Sequence, residues 1–157
     1  AFFEVAPHAS RPFVVDAGDR RVTVLGTAFA VRHEQLRTTV TLVEGKVAVG
    51  SVELEPGQRL VEQAGEPPRI DTPSIEVVTA WRRGEVIMDE MPLSEAVAEM
   101  NRYDKAQLLL GNSGIGELPV SGIYRTGDNS GFARIVAEMY GLSVREENGR
   151  IRLELKS

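Results

Sequence analysis

The sequence predicts an all-β N-terminal domain, built as a meander, β-roll or sandwich, followed by an α+β C-terminal domain with duplicated βαβ units. Three observations support this fold class. Short runs of Val, Thr, Phe and Leu, broken by turn residues, fill about the first 70 of the 157 residues. A proline-rich stretch follows them. Two amphipathic helical patterns with the same spacing then occupy the remaining half.

The strand-like runs of the first half alternate apolar and polar residues. This period of two places Val22 and Val24, and likewise Val40 and Leu42, on one buried face. Gly and Pro between the runs favour short turns, so consecutive strands are expected to pair. The predicted strands are 2–5, 13–16, 21–25, 27–32, 38–44, 46–49, 51–54 and 58–62.

The stretch 63–74 contains three prolines among small polar residues, as an interdomain linker does. It is followed at 75–81 by a short helix or an extended connector. We therefore predict a first domain at 1–70, a connector at 71–84 and a second domain at 85–157.

An internal repeat organises the second half. Two predicted helices carry apolar residues at i, i+3, i+4 and i+7, a spacing that places all four on one buried face. These sets are Leu93, Ala96, Val97, Met100 and, 39 residues later, Phe132, Ile135, Val136, Met139. Strand-like runs flank the helices at 85–88, 107–110, 120–124 and 142–145, and the turn dipeptide Asn148-Gly149 leads into a last strand at 150–155.

Composition and charge narrow the function classes. A net charge of -5 argues against nucleic acid and against an anionic membrane surface as partners. Because cysteine is absent, disulfides, zinc-thiolate sites and thiol nucleophiles are excluded. The only histidines, His8 and His33, lie far apart in the sequence. We therefore expect no metal, no cofactor and no enzymatic activity.

The first half also resembles a known family, the FecR domain of anti-sigma regulators. The matching segments are 1–6, 11–15, 25–31, 42–47 and 55–58. The second half resembles the small STN domain of secretins and TonB-dependent receptors, entered through the junction 80–84. The chain begins within a strand-like run, without Met or a leader, so we interpret it as a fragment whose cytosolic segment and membrane helix lie upstream.

The resemblance implies a function in signalling across the envelope. Members of the family are single-pass inner-membrane proteins of Gram-negative bacteria. Their periplasmic part contacts the N-terminal signalling domain of a TonB-dependent outer-membrane receptor, which usually handles an iron siderophore. Their cytosolic segment controls an extracytoplasmic-function sigma factor. By this resemblance the chain is a periplasmic protein-binding region, and its only membrane contact is through the upstream helix.

Candidate partner-binding residues follow from how protein surfaces are recognised. An exposed strand edge accepts a partner strand through main-chain hydrogen bonds, and we select 120–124, with Val120, Ile123 and Tyr124, as such an edge. Trp81 is a large amphipathic aromatic residue of the type that binding hot spots favour, although its place at the junction also suits packing between domains. The adjacent Arg82 offers a charge for an acidic partner.

Other functions remain open at this level. A periplasmic module that binds glycan or peptidoglycan would use the β-rich half, but sugar platforms need several exposed aromatic side chains and the chain has one Trp and three Tyr. An envelope-assembly role is the other alternative, because STN-like domains also occur in secretins.

Overall fold

The computed structural model describes residues 1–7 and 11–157. It divides the chain into two compact units, Ala1–Val78 and Thr79–Ser157. The boundary lies inside the segment 71–84 that the sequence predicts as a connector. No helix among the described residues has the length and apolar character needed to cross a membrane.

The first unit is all β, with two antiparallel sheets, and contains each of the eight strands that the sequence predicts. One sheet has the order β1 (Phe2–Glu4), β4 (Ala28–Glu34), β5 (Arg37–Glu44), β8 (Arg59–Gln63) and β9 (Arg69–Asp71). The other has the order β2 (Phe13–Ala17), β3 (Arg20–Val24), β6 (Val47–Val49) and β7 (Val52–Leu54).

Alternation along the strands builds the core of this unit. Val22, Val24, Val40 and Leu42 are all buried, as their spacing predicts. Phe29 is also fully buried, and both sheets contribute residues to this core. Burial of these side chains is the main stabilising contribution to the unit.

The prediction that the whole proline-rich stretch 63–74 is a linker is wrong, because part of it is a strand of the first unit. Its residues 69–71 form β9, the edge strand that pairs with β8. The Arg59 guanidinium, on β8, donates to both carboxylate oxygens of Asp71 at 2.8 and 2.6 Å and lowers the pKa of that carboxyl group. This cross-strand pair is a long-range contact, which the local composition of the stretch does not reveal.

The segment after β9 is helical. Helix α1 spans Ile75–Thr79, and a 3₁₀ helix spans Ala80–Arg83. Gly84 ends the 3₁₀ helix in a left-handed conformation (φ 75°), and its N–H donates to the carbonyl oxygen of Trp81 at 3.0 Å. The left-handed residue turns the chain directly into the first strand of the second unit.

The second unit contains two helices between two small sheets. One sheet pairs β10 (Glu85–Pro92) with β12 (Pro119–Arg125), and the other has the order β11 (Gln107–Leu110), β14 (Arg150–Leu155) and β13 (Leu142–Glu147). The helices are α2 (Leu93–Met100) and α3 (Asn129–Tyr140), with a 3₁₀ helix at Ser113–Ile115. Each of α2 and α3 contacts strands of both sheets, so both helices lie between the sheets.

The order β-α-β occurs twice, as predicted, but the strands do not pair as two βαβ units. The first strands of the two repeats, β10 and β12, pair with each other antiparallel. The second strands, β11 and β13, lie on either side of β14. A βαβ unit places both strands in one sheet, parallel, with the helix on its face. Here each helix is covered on two sides, so its two strands belong to different sheets.

The helical phase is predicted correctly for α2 and only in part for α3, where Phe132 and Val136 are buried as predicted. All four predicted residues of α2 are buried. In α3, Ile135 and Met139 are 49% and 52% exposed, while Ala133 and Ala137 are buried in their place. Alanine lets a helix approach neighbouring strands closely, so α3 turns its small residues inward and leaves two large apolar residues in solvent. The pattern of large residues alone could not predict this rotation.

Candidate partner-binding surfaces

Trp81 and Arg82 lie on the 3₁₀ helix at the start of the second unit. The Trp81 side chain is 37% exposed, and Arg82 is also exposed. The next residue, Arg83, pairs with Glu85 at 3.3 Å. An exposed indole beside arginines has the composition of a protein-binding surface. Their role in binding stays a prediction.

The structure separates the three candidate residues of β12. Val120 and Tyr124 are buried, whereas Ile123 is 65% exposed. Tyr124 packs edge to face against Phe132 of α3, with ring centroids 4.9 Å apart. Val120 and Tyr124 are therefore core residues whose side chains do not face a partner, and only Ile123 presents an apolar side chain to solvent.

The register of β12 shows which of its backbone groups face away from β10. The N–H of Leu93 donates to the carbonyl of Leu118, and the N–H of Thr126 donates to the carbonyl of Gly84. Even-numbered residues of β12 therefore point toward β10, because backbone direction alternates along a strand. The free edge consists of Pro119, Ser121, Ile123 and Arg125.

That free edge is partly closed. Pro119 has no N–H to offer, and its carbonyl accepts a hydrogen bond from the Tyr140 hydroxyl. The Ser121 carbonyl accepts from the Tyr124 hydroxyl at 2.9 Å. Two successive carbonyls of the edge are thus occupied by tyrosine side chains, so a partner strand could reach only the end of β12 near Ile123 and Arg125.

A buried polar network is a feature that the sequence reasoning missed. Asn129, at the start of α3, donates through Nδ2 to Asn101 Oδ1 at 3.1 Å and to the Ala106 carbonyl at 2.6 Å. Its backbone N–H donates to Asp104 at 3.0 Å. The network joins the end of α2, the start of β11 and the start of α3. Asn101 and Asp104 stand before a strand at a spacing that gives no periodic signal, so pattern analysis of the sequence could not find the network.

We expect the network to make the stability of the second unit sensitive to acid. Backbone N–H groups of Asn129 and Ala106 bind the Asp104 carboxylate and lower its pKa below the usual value of 3.8. The contribution of Asp104 to stability is therefore complete above about pH 4 and is lost as pH falls through the lower, folded-state pKa. We expect Asp104→Asn to lower the melting temperature at neutral pH, with the difference from wild type shrinking below about pH 4. A melting-temperature difference that stays constant down to about pH 2 would contradict this assignment.

Of the two histidines, the structure describes only His33. His33 shares a 2.8 Å hydrogen bond with Thr38 across the β4–β5 pair, and His8 lies outside the described residues. Within residues 1–7 and 11–157, no group of three or more His, Asp or Glu is arranged to hold a metal ion. The absence of enzymatic activity stays a prediction.

Comparison with known proteins found one family model and two similar crystal structures. Residues 1–48 match the family model described as FecR protein. Two crystal structures of a candidate anti-sigma factor from Parabacteroides distasonis, at 1.65 and 2.50 Å resolution, are similar to the chain with a TM-score of 0.78 and 23% identity. Each similarity covers 99% of this chain, and 77% and 76% of the respective neighbours. No relative was found among the curated proteins.

These comparisons carry different weight for the two units. The structural likeness shows that the whole fold, including the second unit, occurs in another protein, although at this identity it shows fold alone. The STN-like identity of the second unit stays a prediction. For the first unit, residues 1–48 match the FecR family model and contain four of the five predicted motif segments, so the predicted FecR resemblance is confirmed for this part of the chain.

Proposed function

We propose that this chain is the periplasmic sensing region of a transmembrane FecR-like anti-sigma regulator. It binds the N-terminal signalling domain of a TonB-dependent outer-membrane receptor and relays a siderophore or iron signal to an extracytoplasmic-function sigma factor. The observation that carries the proposal is the FecR match over residues 1–48, combined with a fold shared over 99% of the chain with a candidate anti-sigma factor.

The described surface supports a binding role. Large apolar side chains are exposed on several elements of the second unit: Trp81, Ile123, Ile135, Met139 and Leu155. Isolated exposed apolar residues are ordinary, but aromatic and aliphatic side chains beside open sheet edges are what a partner domain uses. Of this set, Trp81 and Ile123 are also the residues that the sequence analysis names as candidates for partner binding.

Isothermal titration against the receptor signalling domain encoded beside the gene tests the proposal. We expect saturable one-to-one binding, weakened about tenfold by Trp81→Ala and by Ile123→Ala, since truncating a hot-spot side chain costs more than about 1 kcal/mol. Leu36→Ala is the matched control, because Leu36 is 71% exposed on a turn of the first unit. This variant is expected to bind as the wild type does.

The contrary outcome is equally defined. An absence of heat at several salt concentrations, with cognate pairing assured, would overturn the proposed receptor partner. Titration with muropeptides, followed by Trp81 fluorescence, then distinguishes the glycan-binding alternative. We expect no spectral change there, because a sugar platform needs more than one exposed aromatic residue.

A further inference from the structure

The two sheets of the second unit leave four strand edges, on β10, β12, β11 and β13. An open edge presents unpaired N–H and C=O groups and can accept another strand, so proteins close the edges that must stay free. Comparing how each edge is closed therefore indicates where a partner strand can bind. The edge of β12 is already partly closed by Pro119 and two tyrosine hydroxyls.

The edge of β11 is closed by the side chain of Asn101, which makes the two hydrogen bonds that a neighbouring strand would make. The Leu108 N–H donates to Asn101 Oδ1 at 2.7 Å, and Asn101 Nδ2 donates to the Leu108 carbonyl at 3.0 Å. The carboxamide thus satisfies both outward groups of Leu108. Because β11 has only four residues, this pair of hydrogen bonds occupies the centre of its free edge.

The edge of β10 is irregular. A bulge interrupts its register between Met88 and Met91, and Glu90 within it has a left-handed backbone conformation (φ 47°). The Glu90 N–H donates to the Ser121 hydroxyl at 2.8 Å. Bulges and charged residues both hinder the addition of a further strand.

In the described part of the chain, the edge of β13 has no bulge and no side chain bonded to its outward backbone groups, and its charged residues, Arg145, Glu146 and Glu147, are confined to its C-terminal half. It has six residues, contains neither Pro nor Gly, and none of its residues has a positive φ. The two-residue turn at Asn148 and Gly149 (φ 52° and 73°) makes Glu147 and Arg150 a hydrogen-bonded pair. By alternation, the N–H and C=O groups of Leu142, Val144 and Glu146 point away from β14. Within the described residues, these groups have no hydrogen-bond partner from another strand or side chain.

The two faces beside this edge differ in chemistry. Toward the helices, Leu142 is buried and Val144 is partly buried and packs on the core. On the outer face, Arg145 lies directly opposite Arg152, an unfavourable like-charge pair, and Arg150 is the next residue of β14 on the same face.

The outer face is positive even though the chain carries a net charge of -5. It holds three arginines and the two glutamates Glu147 and Glu154, of which Glu154 pairs with Arg145 at 3.2 Å. Arg152 has no ion pair with any residue of the described chain. An acidic side chain placed next to Arg145 would offset the repulsion between Arg145 and Arg152.

We propose that the free edge of β13 binds an extended segment of the partner protein, with apolar side chains facing the helices and acidic side chains facing the arginines. The assignment of this segment to the receptor signalling domain rests on the proposed function. The binding mode is strand addition, in which main-chain hydrogen bonds supply affinity and the two faces supply specificity.

A synthetic peptide tests the edge independently of the receptor. The probe is an end-blocked peptide of alternating valine and glutamate, about ten residues long, a length that covers a strand of this size. We expect it to bind the full chain and to slow amide exchange at Leu142, Val144 and Glu146. Arg145→Glu should weaken binding at least tenfold and reverse the preference toward a valine–lysine peptide. Arg125→Glu, the same change on the edge of β12, is the control and should leave binding unchanged.

Several results would overturn the proposal. These are an absence of binding, equal binding to wild type and Arg145→Glu, protection confined to the β12 amides, or equal binding of a peptide whose alternate amides are N-methylated. Self-association that protects the β13 amides without peptide would assign the edge to a second copy of the chain and would also overturn it.

Titrating the receptor domain against the same variants separates the two proposals. Peptide binding at β13 without receptor binding would refute the receptor partner and retain the edge. Receptor binding that is insensitive to Arg145→Glu would retain the receptor partner and refute the edge.

Discussion

Phe132→Ala is expected to destabilise the second unit by about 3–5 kcal/mol, whereas Ile135→Ala on the same helix is expected to change its stability by less than about 0.5 kcal/mol. Phe132 is 2% exposed and packs against Tyr124, so its removal leaves a cavity in the core. Ile135 is 49% exposed, and alanine also has the higher helix propensity.

The sequence pattern makes the opposite prediction for Ile135, because it places both residues on one buried face. Urea unfolding of the full chain, followed by the fluorescence of Trp81, measures the difference, since the only tryptophan lies in the second unit. Comparable losses in the two variants would mean that α3 has the rotation that the sequence pattern predicts.

The second large effect is expected at the buried polar network. Asn129→Ala removes the hydrogen bonds to Asn101 Oδ1 and to the Ala106 carbonyl. The Ala106 carbonyl then lacks this donor inside the unit, whereas Asn101 Oδ1 still accepts from the Leu108 N–H. A buried polar group that loses its partner costs about 1–3 kcal/mol, so we expect a loss near the upper end of that range. Asn129 Oδ1 is itself buried without a hydrogen-bond partner among the described residues, so the side-chain hydrogen bonds that the variant loses are those of Nδ2.

Asn112→Ala is the matched control for this prediction. Asn112 is exposed, and its Oδ1 accepts one hydrogen bond from the Leu155 N–H at 3.0 Å. In the variant, water at the surface can accept the hydrogen bond from the Leu155 N–H, so we expect the free energy of unfolding to fall by about 1 kcal/mol or less. If the same urea unfolding gave equal losses for both asparagines, the network would not be a stabilising feature.

The local order of elements could be predicted well, and the candidate site could not. The strands of the first unit, helix α2 and the last hairpin follow from alternation, helical spacing and the Asn148-Gly149 turn, which are signals between residues near in sequence. Of the candidate binding residues, Trp81, Arg82 and Ile123 are exposed, while Val120 and Tyr124 belong to the core. Strand periodicity identified a strand at 120–124 but not which of its faces is covered.

What the sequence by itself determined is the all-β character of the first half, the mixed helix and strand content of the second half, and the FecR resemblance of residues 1–48. The tertiary structure alone decided that β9 joins the first sheet, that β10 pairs with β12, and that α3 buries its alanines. It also decided which edges are closed, because Asn101 reaches Leu108, and Tyr140 reaches Pro119, only after the helices pack between the sheets. Such closures join residues of different elements, and no periodicity along the chain encodes them.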